Sequence, residues 1–406
     1  MRFSPLLLAL ALPGSSATLS AQQIEDPGPH LVGWRDVQFT DANFGRGEIR
    51  GRMFYPALQA GQGTAADPAY GPYPLVGFQH GWLGRPDMYD ELCTHLASWG
   101  FVVASIGTQT GIFATMQAEA LDTRSLLHWV DDESAATGAW LEGMAWDGDW
   151  SASGHSMGGG ALMYLIGIEP RVRAVVPLQP YAGTGLGGSA QGFQNLAVFT
   201  GSVSIVTGEL DDLVDEGLEY FQNAPAARRD LYSMVLGMGH LGPTDNPPNN
   251  EPLSAAEQHR LHRRILAGTL RAEMRGEENL YVELLGEGIV SEPVQFLSLT
   301  SLPPLWAVES RFQAGALAVG MAGMPGDRVL MARSFTAASK STPYGVLGLD
   351  PRDGAIFYSS TMPGSGVRET VLPLQGSWSG RTLYIQGLRL GPGVGALSRT
   401  AAVAVP

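Results

Sequence analysis

Residues 151–162 read SASGHSMGGGAL, and this stretch decides the fold. Ser156 stands between Gly154 and Gly158. Glycine occupies these two flanking positions because a tight turn leaves no room there for a Cβ atom. A strand-compatible run precedes the serine and a glycine-rich, helix-compatible run follows it, as a strand-to-helix nucleophile elbow requires. The pentapeptide alone is a weak signal in a chain with 53 glycines, so the context carries the prediction. The stretch predicts that Ser156 is a nucleophile on a sharp turn.

Outward from this turn, short apolar runs alternate with helix-patterned stretches. The apolar runs are 75–79, 101–106, 174–178, 202–207 and 232–236. The helical patterns cover about 86–99, about 115–130, a stretch from Gly158 onward, and about 254–274. Continuously apolar strands that alternate with helices must be buried on both faces, which indicates a parallel sheet. Two earlier segments, 37–40 and 49–55, alternate as antiparallel opening strands do. The chain is predicted to be α/β, with a doubly wound, mostly parallel sheet of the α/β-hydrolase fold.

The 406 residues exceed what one hydrophobic core usually holds. Helical periodicity stops near Gly286, and Gly, Pro and Ser then punctuate short strand-like runs at 328–332, 344–349 and 382–386. We therefore predict a catalytic domain over 22–290 and a small all-β domain, a β-sandwich, over 291–406. A chain that stops near Ser291 is expected to fold alone.

The N-terminus has the pattern of a signal peptide. Arg2 is followed by an apolar run over 6–12, a Pro13-Gly14 break, and small residues at Ala17 and Ala21. The run is too short to span a membrane, and no later stretch is long enough. Residues 1–21 are predicted to be removed on export, which makes the protein extracellular or periplasmic.

Charge and cysteine content exclude several classes of partner. The net charge is −14 and no basic run interrupts it, so nucleic acid is not an expected partner. Cys93 is the single cysteine, which excludes an internal disulfide and a thiolate metal site, and a buried apolar role is expected for it. The acidic residues near Asp215 and Asp245 are expected to be solvated loop residues. No metal and no cofactor is predicted.

A serine hydroxyl needs a base and an orienting acid, which in this fold follow later strands in the order acid, then base. The run 202–207 leads into Gly208, Glu209, Leu210, Asp211 and Asp212, and the run 232–236 leads into Gly237, Met238, Gly239 and His240. His240 is the predicted base. Asp211 is the preferred acid and Asp212 the alternative. His259 and His262 share a helix with three arginines and are expected to be solvated.

A tetrahedral intermediate needs two backbone N–H donors. Met157, which follows the nucleophile, supplies one. The run 75–79 ends in His80-Gly81-Trp82, and the Trp82 N–H is the predicted second donor of this oxyanion hole. His80 is expected to brace the turn.

Four segments together resemble the bacterial polyester hydrolases and cutinase-like enzymes, which are relatives of the dienelactone hydrolases. These segments are 78–82, 96–103, 154–160 and 175–181, and the likeness runs from about Val37 to Gly286. The resemblance implies cofactor-free ester hydrolysis through an acyl-enzyme. It places Ser156, Asp211 and His240 on the triad, and it gives the aromatic rings of Trp82 and Tyr181 a role in substrate binding.

The sequence also departs from that family. The second aromatic is commonly Trp there and is Tyr181 here, the loop 182–199 is longer, and no disulfide can stabilise the base. A small-molecule or polymeric ester is the predicted substrate. Alternatives are a lipase or an acyl-ester hydrolase similar to platelet-activating-factor acetylhydrolases, a serine peptidase, or a non-catalytic surface-binding protein on a hydrolase scaffold. The sequence assigns no role to the C-terminal domain, and substrate binding and attachment to the cell surface are both left open.

Overall fold

The computed structural model describes residues 23–183, 185–225 and 227–406. The predicted signal peptide over residues 1–21 lies outside them. Among the helices of the described residues, none combines the length and apolarity needed to cross a membrane.

A ten-stranded sheet forms the centre of the first part of the chain. In chain order its strands are β1 (Val32–Asp41), β2 (Gly47–Pro56), β3 (Gly61–Gln62), β4 (Leu75–Gln79), β5 (Val102–Ile106), β6 (Trp150–His155), β7 (Val172–Leu178), β8 (Ser202–Gly208), β9 (Arg229–Val235) and β10 (Val294–Ser298). Their order across the sheet is β10-β9-β8-β7-β6-β4-β5-β2-β1-β3. The six adjacent strands β9, β8, β7, β6, β4 and β5 pair in parallel, while β1 and β2 form the predicted antiparallel opening. The predicted doubly wound, mostly parallel sheet is confirmed.

Helices cover both faces of this sheet, because its central strands are apolar on both sides. The helices are α1 (Asp90–Ser98), α2 (Met116–Ala135), α3 (Met157–Ile168), α4 (Ala190–Val198), α5 (Val214–Gln222), α6 (Ala255–Arg275) and α7 (Tyr281–Leu285). Leu75 of β4 belongs to the core cluster under α2 and α3, and its neighbour Val76 belongs to the cluster under α1 and α6. This alternation is what a strand buried on both faces produces. The cluster under α1 also contains Cys93, which is fully buried as expected.

Two helices and one burial pattern differ from expectation. The helices α4 and α5 lie in stretches without a clear helical pattern, and α4 occupies part of the long loop predicted over 182–199. The expectation that His262 is solvated was wrong, since it is 1% exposed on α6. The basic side of α6 is covered, because Arg264 binds Glu25 from the N-terminal segment and Glu292 from the chain beyond α7.

The C-terminal part is all-β. Its strands are β11 (Leu305–Glu309), β12 (Ala316–Ala322), β13 (Arg328–Ser334), β14 (Ala337–Thr342), β15 (Gly345–Leu349), β16 (Ala355–Thr361), β17 (Val367–Pro373), β18 (Thr382–Gly391), β19 (Val394–Leu397) and β20 (Ala401–Ala404). A sheet of β11, β12 and β17 and a sheet of β16, β13, β18, β19 and β20 share one core, and β14 pairs with β15. Two sheets that enclose one core form a sandwich, as predicted.

The two parts of the chain are closely joined. β10 begins after residue 290, the last residue of the predicted catalytic domain, yet it pairs antiparallel with β9, so the first sheet continues to Ser298. Trp306 on β11 is fully buried in the same core cluster as Tyr281 of α7. The guanidinium of Arg229 on β9 binds Glu278 at 2.5 Å, just before α7. The chain beyond residue 290 therefore contributes to the core of the α/β part.

Candidate active site

The chain makes a strained turn between β6 and α3 at Ser156. The residue has φ 55° and ψ −117°, a conformation that few residues other than glycine adopt. A Cβ atom at Gly154 would lie 2.7 Å from the backbone of Gly158, and one at Gly158 would lie 2.4 Å from the carbonyl oxygen of Gln79. Glycine at both positions therefore allows β6, the turn and α3 to pack closely. Ser156 is only partly buried at the tip of this turn.

Three predicted residues come together beside this turn. His240 Nε2 lies 2.9 Å from Ser156 Oγ, and His240 Nδ1 lies 3.0 Å from both carboxylate oxygens of Asp211. Asp211 follows β8 and His240 follows β9, so the carboxyl ends of neighbouring parallel strands bring them to one edge of the sheet. Nδ1–H can donate only to the carboxylate, which leaves Nε2 free to accept the serine proton.

The two aspartates that the sequence left open have different surroundings. The side chain of Asp211 is 1% exposed, and its Oδ1 also accepts the backbone N–H of Leu213 at 2.9 Å. Asp212 is exposed. The structure therefore brings Asp211, and not Asp212, to the imidazole of His240.

The turn after β4 lies directly against the serine turn. A Cβ atom at Gly81 would be 3.3 Å from Cβ of Ser156. Among the described residues, the backbone N–H groups of Trp82 and Met157 donate to no acceptor. His80 is fully buried under this turn, and its ring nitrogens lie 2.8 Å from the carbonyl oxygens of Gly81 and Thr108. Both predicted oxyanion donors are thus unpaired, on turns that adjoin Ser156.

A hydrogen-bonded series that the sequence did not suggest links the two turns to the base. The Gly81 N–H donates to the Tyr89 hydroxyl at 3.0 Å, and this hydroxyl lies 2.8 Å from His155 Nδ1. His155 Nε2 lies 2.8 Å from the carbonyl oxygen of His240. Burial and the neighbouring His240 lower the pKa of His155 to about 3, so its ring is neutral. No motif marks Tyr89, which lies just before α1, and only its contacts with Gly81 and His155 in the folded chain reveal its role.

Exposed apolar side chains lie next to the site residues in the chain or on the segment that Trp82 contacts. We call them the apolar rim: Trp82, Leu83, Ile112, Phe113, Leu210 and Leu241. Leu210 precedes Asp211, Leu241 follows His240, and the indole Nε1 of Trp82 lies 3.4 Å from the carbonyl oxygen of Ile112. Single exposed apolar residues are common, but a group of six beside one site indicates an apolar ligand surface. Only Trp82 was predicted, because exposure cannot be inferred from an apolar residue alone.

Tyr181 lies beside the elbow but faces its own loop. Its N–H donates to the carbonyl oxygen of Ser156 at 2.9 Å. Its side chain is half-buried, and Cβ atoms at Gly183 and Gly185 would lie 2.5 and 2.7 Å from its hydroxyl. The ring therefore supports the glycine-rich segment that follows it, and its remaining exposed surface is smaller than that of Trp82.

No group of three or more His, Cys, Asp or Glu side chains within the described ranges is arranged to hold a metal ion. The acidic residues near Asp215 have structural contacts, since the Glu216 carboxylate accepts the N–H groups of Ala182 and Gly183. Asp245 accepts the N–H of Glu91 at 3.2 Å, and burial raises its pKa to about 6. It is thus less solvated than its loop sequence indicated.

Comparisons with known proteins find relatives for the first half of the chain. Residues 16–212 match the family described as PETase, PET hydrolase-like. The chain is 23% identical over 177 residues to "Cutinase 2" of Thermobifida cellulosilytica, 23% identical over 177 residues to "Cutinase cut1" of Thermobifida fusca, and 24% identical over 174 residues to "Cutinase est2" of Thermobifida alba.

These matches cover 44%, 44% and 42% of this chain and 63%, 52% and 54% of those relatives. The chain thus spans between about half and less than two thirds of the relatives it matches. The matched part includes Trp82, Ser156, Met157, Tyr181 and Asp211 and ends before His240. Sheet order and these likenesses together make this an α/β-hydrolase fold similar to the cutinases and PET hydrolases.

Proposed function

We propose that the protein is a serine hydrolase that cleaves carboxylic esters through an acyl-enzyme. The observation that carries the proposal is the hydrogen-bonded row of Ser156, His240 and Asp211, with distances of 2.9 and 3.0 Å. A buried carboxylate that holds Nδ1–H orients the imidazole and stabilises its cation. The row joins groups that lie far apart in sequence, and a purely structural role would not require a strained serine at its end.

In the proposed reaction, His240 Nε2 takes the proton of Ser156 as Oγ attacks the ester carbonyl. The N–H groups of Trp82 and Met157 donate to the oxyanion of the tetrahedral intermediate. The intermediate collapses when the imidazolium returns the proton to the leaving alcohol, which leaves an acyl-serine. A water molecule, deprotonated by the same imidazole, then releases the carboxylic acid. Charge develops only on atoms that these residues contact, so the reaction needs no cofactor.

The proposed substrates are esters with a bulky apolar or aromatic acyl group. The apolar rim supports this, because Trp82, on the turn beside Ser156, is 44% exposed, and Phe113, which follows the Ile112 that Trp82 contacts, is 90% exposed. An aromatic acyl group that packs on such rings gains about 0.5–1.5 kcal/mol per contact beyond simple burial. The relatives' names, cutinase and PET hydrolase, extend the proposal to polyesters. Tyr181 is proposed as a second contact, below the rim.

Ser156→Ala tests the chemistry, with a panel of p-nitrophenyl esters of increasing acyl length. The substitution should reduce kcat/KM on the order of 10⁴-fold or more. The thermal midpoint should not fall, since alanine removes only the hydroxyl at a partly exposed turn. Retained activity in a variant with an unchanged melting curve would refute the proposal and favour a non-catalytic scaffold.

The same panel separates the alternatives within the class. A preference for long acyl chains over short ones would favour a lipase, and cleavage of peptide amides a peptidase. Mass spectrometry after treatment with a fluorophosphonate should locate the label on Ser156 of the parent protein. Export, and the binding role of the C-terminal sheets, stay predictions.

A further inference from the structure

A cavity of about 1270 Å³ lies at the edge of the sheet opposite the candidate active site. Its lining includes Pro74 before β4, Gly100 before β5, Asp149 before β6 and Arg228 before β9. These residues precede parallel strands, whereas Ser156 follows one. Ligands of open α/β sheets normally bind at the carboxyl ends of the strands, so this cavity is separate from the proposed reaction.

Arginines outnumber acidic residues in the lining of this cavity, in a protein of net charge −14. The charged residues among its described lining are Arg173, Arg228, Arg275, Arg399, Asp149 and Glu273. Glu273 is already neutralised within the wall, because Arg228 and Arg229 each bind its carboxylate at 2.7 Å. Arg275 binds Glu277 at 3.1 Å, and Arg399 lies 3.6 Å from Glu278. Among the described arginines of the lining, Arg173 is therefore the one left without a carboxylate partner, and its charge can attract an anion.

Arg173, the second residue of β7, lacks an ion-pair partner among the described residues. It is half-buried, and its guanidinium binds no acceptor among the described residues. Arg171, two residues earlier, shows the contrast: it binds Asp131 at 2.6 Å and the carbonyl oxygens of Asp147 and Gly148. The planar fork of an unpaired guanidinium matches a carboxylate.

Aromatic rings form another part of the cavity wall. Tyr70 is 75% exposed and Trp146 39% exposed. The His30 ring packs edge-on against Tyr70 and Tyr73, with centroid distances of 5.9 and 5.5 Å. Aromatic rings stabilise a bound flat organic group by packing against it, but they offer no such contact to a small inorganic anion.

We propose that this cavity is a second ligand site, for an organic carboxylate with an aromatic or flat apolar body. The carboxylate binds the guanidinium of Arg173, and the body packs against Tyr70 and Trp146. The volume exceeds the roughly 300–1,000 Å³ of usual small-molecule sites, so it accommodates ligands longer than a single ring. The proposal does not depend on ester hydrolysis, although such a carboxylate is also the class of product that hydrolysis would release.

Isothermal titration of the full chain carrying Ser156→Ala tests the site without turnover, with benzoate as the probe and acetate and inorganic phosphate as comparators. Benzoate should bind roughly tenfold more tightly than either comparator, because only benzoate can both bind the Arg173 guanidinium and pack against the rings of Tyr70 and Trp146. Adding Arg173→Gln should weaken benzoate roughly tenfold. Arg352→Gln is the matched control, since it removes an arginine that is 89% exposed in the C-terminal part.

A second variant, Tyr70→Ala, keeps the test independent of folding, because this ring is exposed. It should weaken benzoate by about threefold or more while acetate stays unchanged. Benzoate affinity that does not respond to Arg173→Gln would overturn the proposal, as would the absence of benzoate binding. Phosphate that binds as tightly as benzoate would also overturn it, because the cavity would then be a site for inorganic anions.

Discussion

The hydroxyl oxygen of Tyr89 lies 2.8 Å from Nδ1 of His155. The carbonyl oxygen of His240 can only accept, so His155 must carry its proton on Nε2, and Tyr89 must donate to Nδ1. The lone pairs of the Tyr89 oxygen then accept the Gly81 N–H. One side chain thus positions both the oxyanion turn and the loop of the proposed base.

Tyr89→Phe should therefore lower kcat by about tenfold and change KM by less than about twofold, because buried Gly81 N–H and His155 Nδ1 lose their partner. Steady-state kinetics on p-nitrophenyl butyrate give this split. Tyr73→Phe is the matched control, since that hydroxyl binds the carbonyl oxygen of Asp67 away from the site. Equal losses in the two variants, or a change confined to KM, would contradict a positioning role for Tyr89.

The two adjacent aspartates should differ sharply. Asp211→Asn should reduce kcat on the order of 10³–10⁴-fold, because an amide cannot hold the imidazole in its tautomer or stabilise its cation. Asp212→Asn should change kcat by less than about twofold, since an exposed carboxylate contributes little. The reverse order of severity would move the acid to Asp212.

Phe113 should matter for apolar substrates alone. Its ring is 90% exposed on the apolar rim, so Phe113→Ser should leave p-nitrophenyl acetate hydrolysis unchanged and slow the cleavage of long-chain or insoluble esters about tenfold. Phe312→Ser, at a ring that is 70% exposed in the C-terminal part, is the control. If both variants lose activity equally on insoluble esters, non-specific hydrophobic adsorption to the substrate explains the effect, and a specific role of the apolar rim is contradicted.

A chain ended after residue 290 is expected to lose its cooperative fold, contrary to what composition alone indicated. It would lack β10 and would expose the core cluster that Trp306 fills. The milder Trp306→Ala should destabilise the full chain by roughly 3–5 kcal/mol, measured by urea unfolding. A truncated protein with the parent's melting temperature would show that the two cores are independent.

The buried His262 should make stability fall in mild acid. Burial lowers its pKa to about 4, and its Nδ1–H donates to the carbonyl oxygen of Gln258 at 2.8 Å. In the unfolded chain the His262 imidazole takes up a second proton near its ordinary pKa of 6.5, whereas in the native state it stays neutral down to about pH 4. The free energy of unfolding therefore falls by up to about 1.4 kcal/mol per pH unit between these two values.

His262→Gln should reduce that slope, as measured by urea unfolding between about pH 7 and 5. His95 and His155 keep the same behaviour in the variant, because burial also lowers their pKa values, to about 4 and about 3. Parallel pH dependences of the parent and the variant would contradict a neutral, buried His262.

The sequence by itself determined the order of the central strands and of α1, α2, α3 and α6, and the residues most suited to chemistry. Apolar strands such as β4 must be buried on both faces, and the glycines around Ser156 meet a local steric need, so both leave a local pattern. The end of the helical periodicity near Gly286 likewise marked where the α-helices end, since α7 ends at Leu285. The preference for Asp211 over Asp212 came from loop spacing, and it agrees with the observed contact to His240.

The tertiary structure decided what depends on distant partners. Tyr89 meets His155 only because the segment between β4 and α1 folds against the serine turn, and no spacing in the sequence encodes that contact. His262 was expected to be solvated because the sequence does not show that distant segments cover α6, where Arg264 binds Glu25 and Glu292. The predicted domain boundary near residue 290 cuts through one core cluster, because Trp306, which follows the boundary, packs in the same cluster as the helices that precede it. Local sequence patterns report the preferences of neighbouring residues, whereas burial, ion pairing and cavity lining are set by segments that meet only in the folded chain.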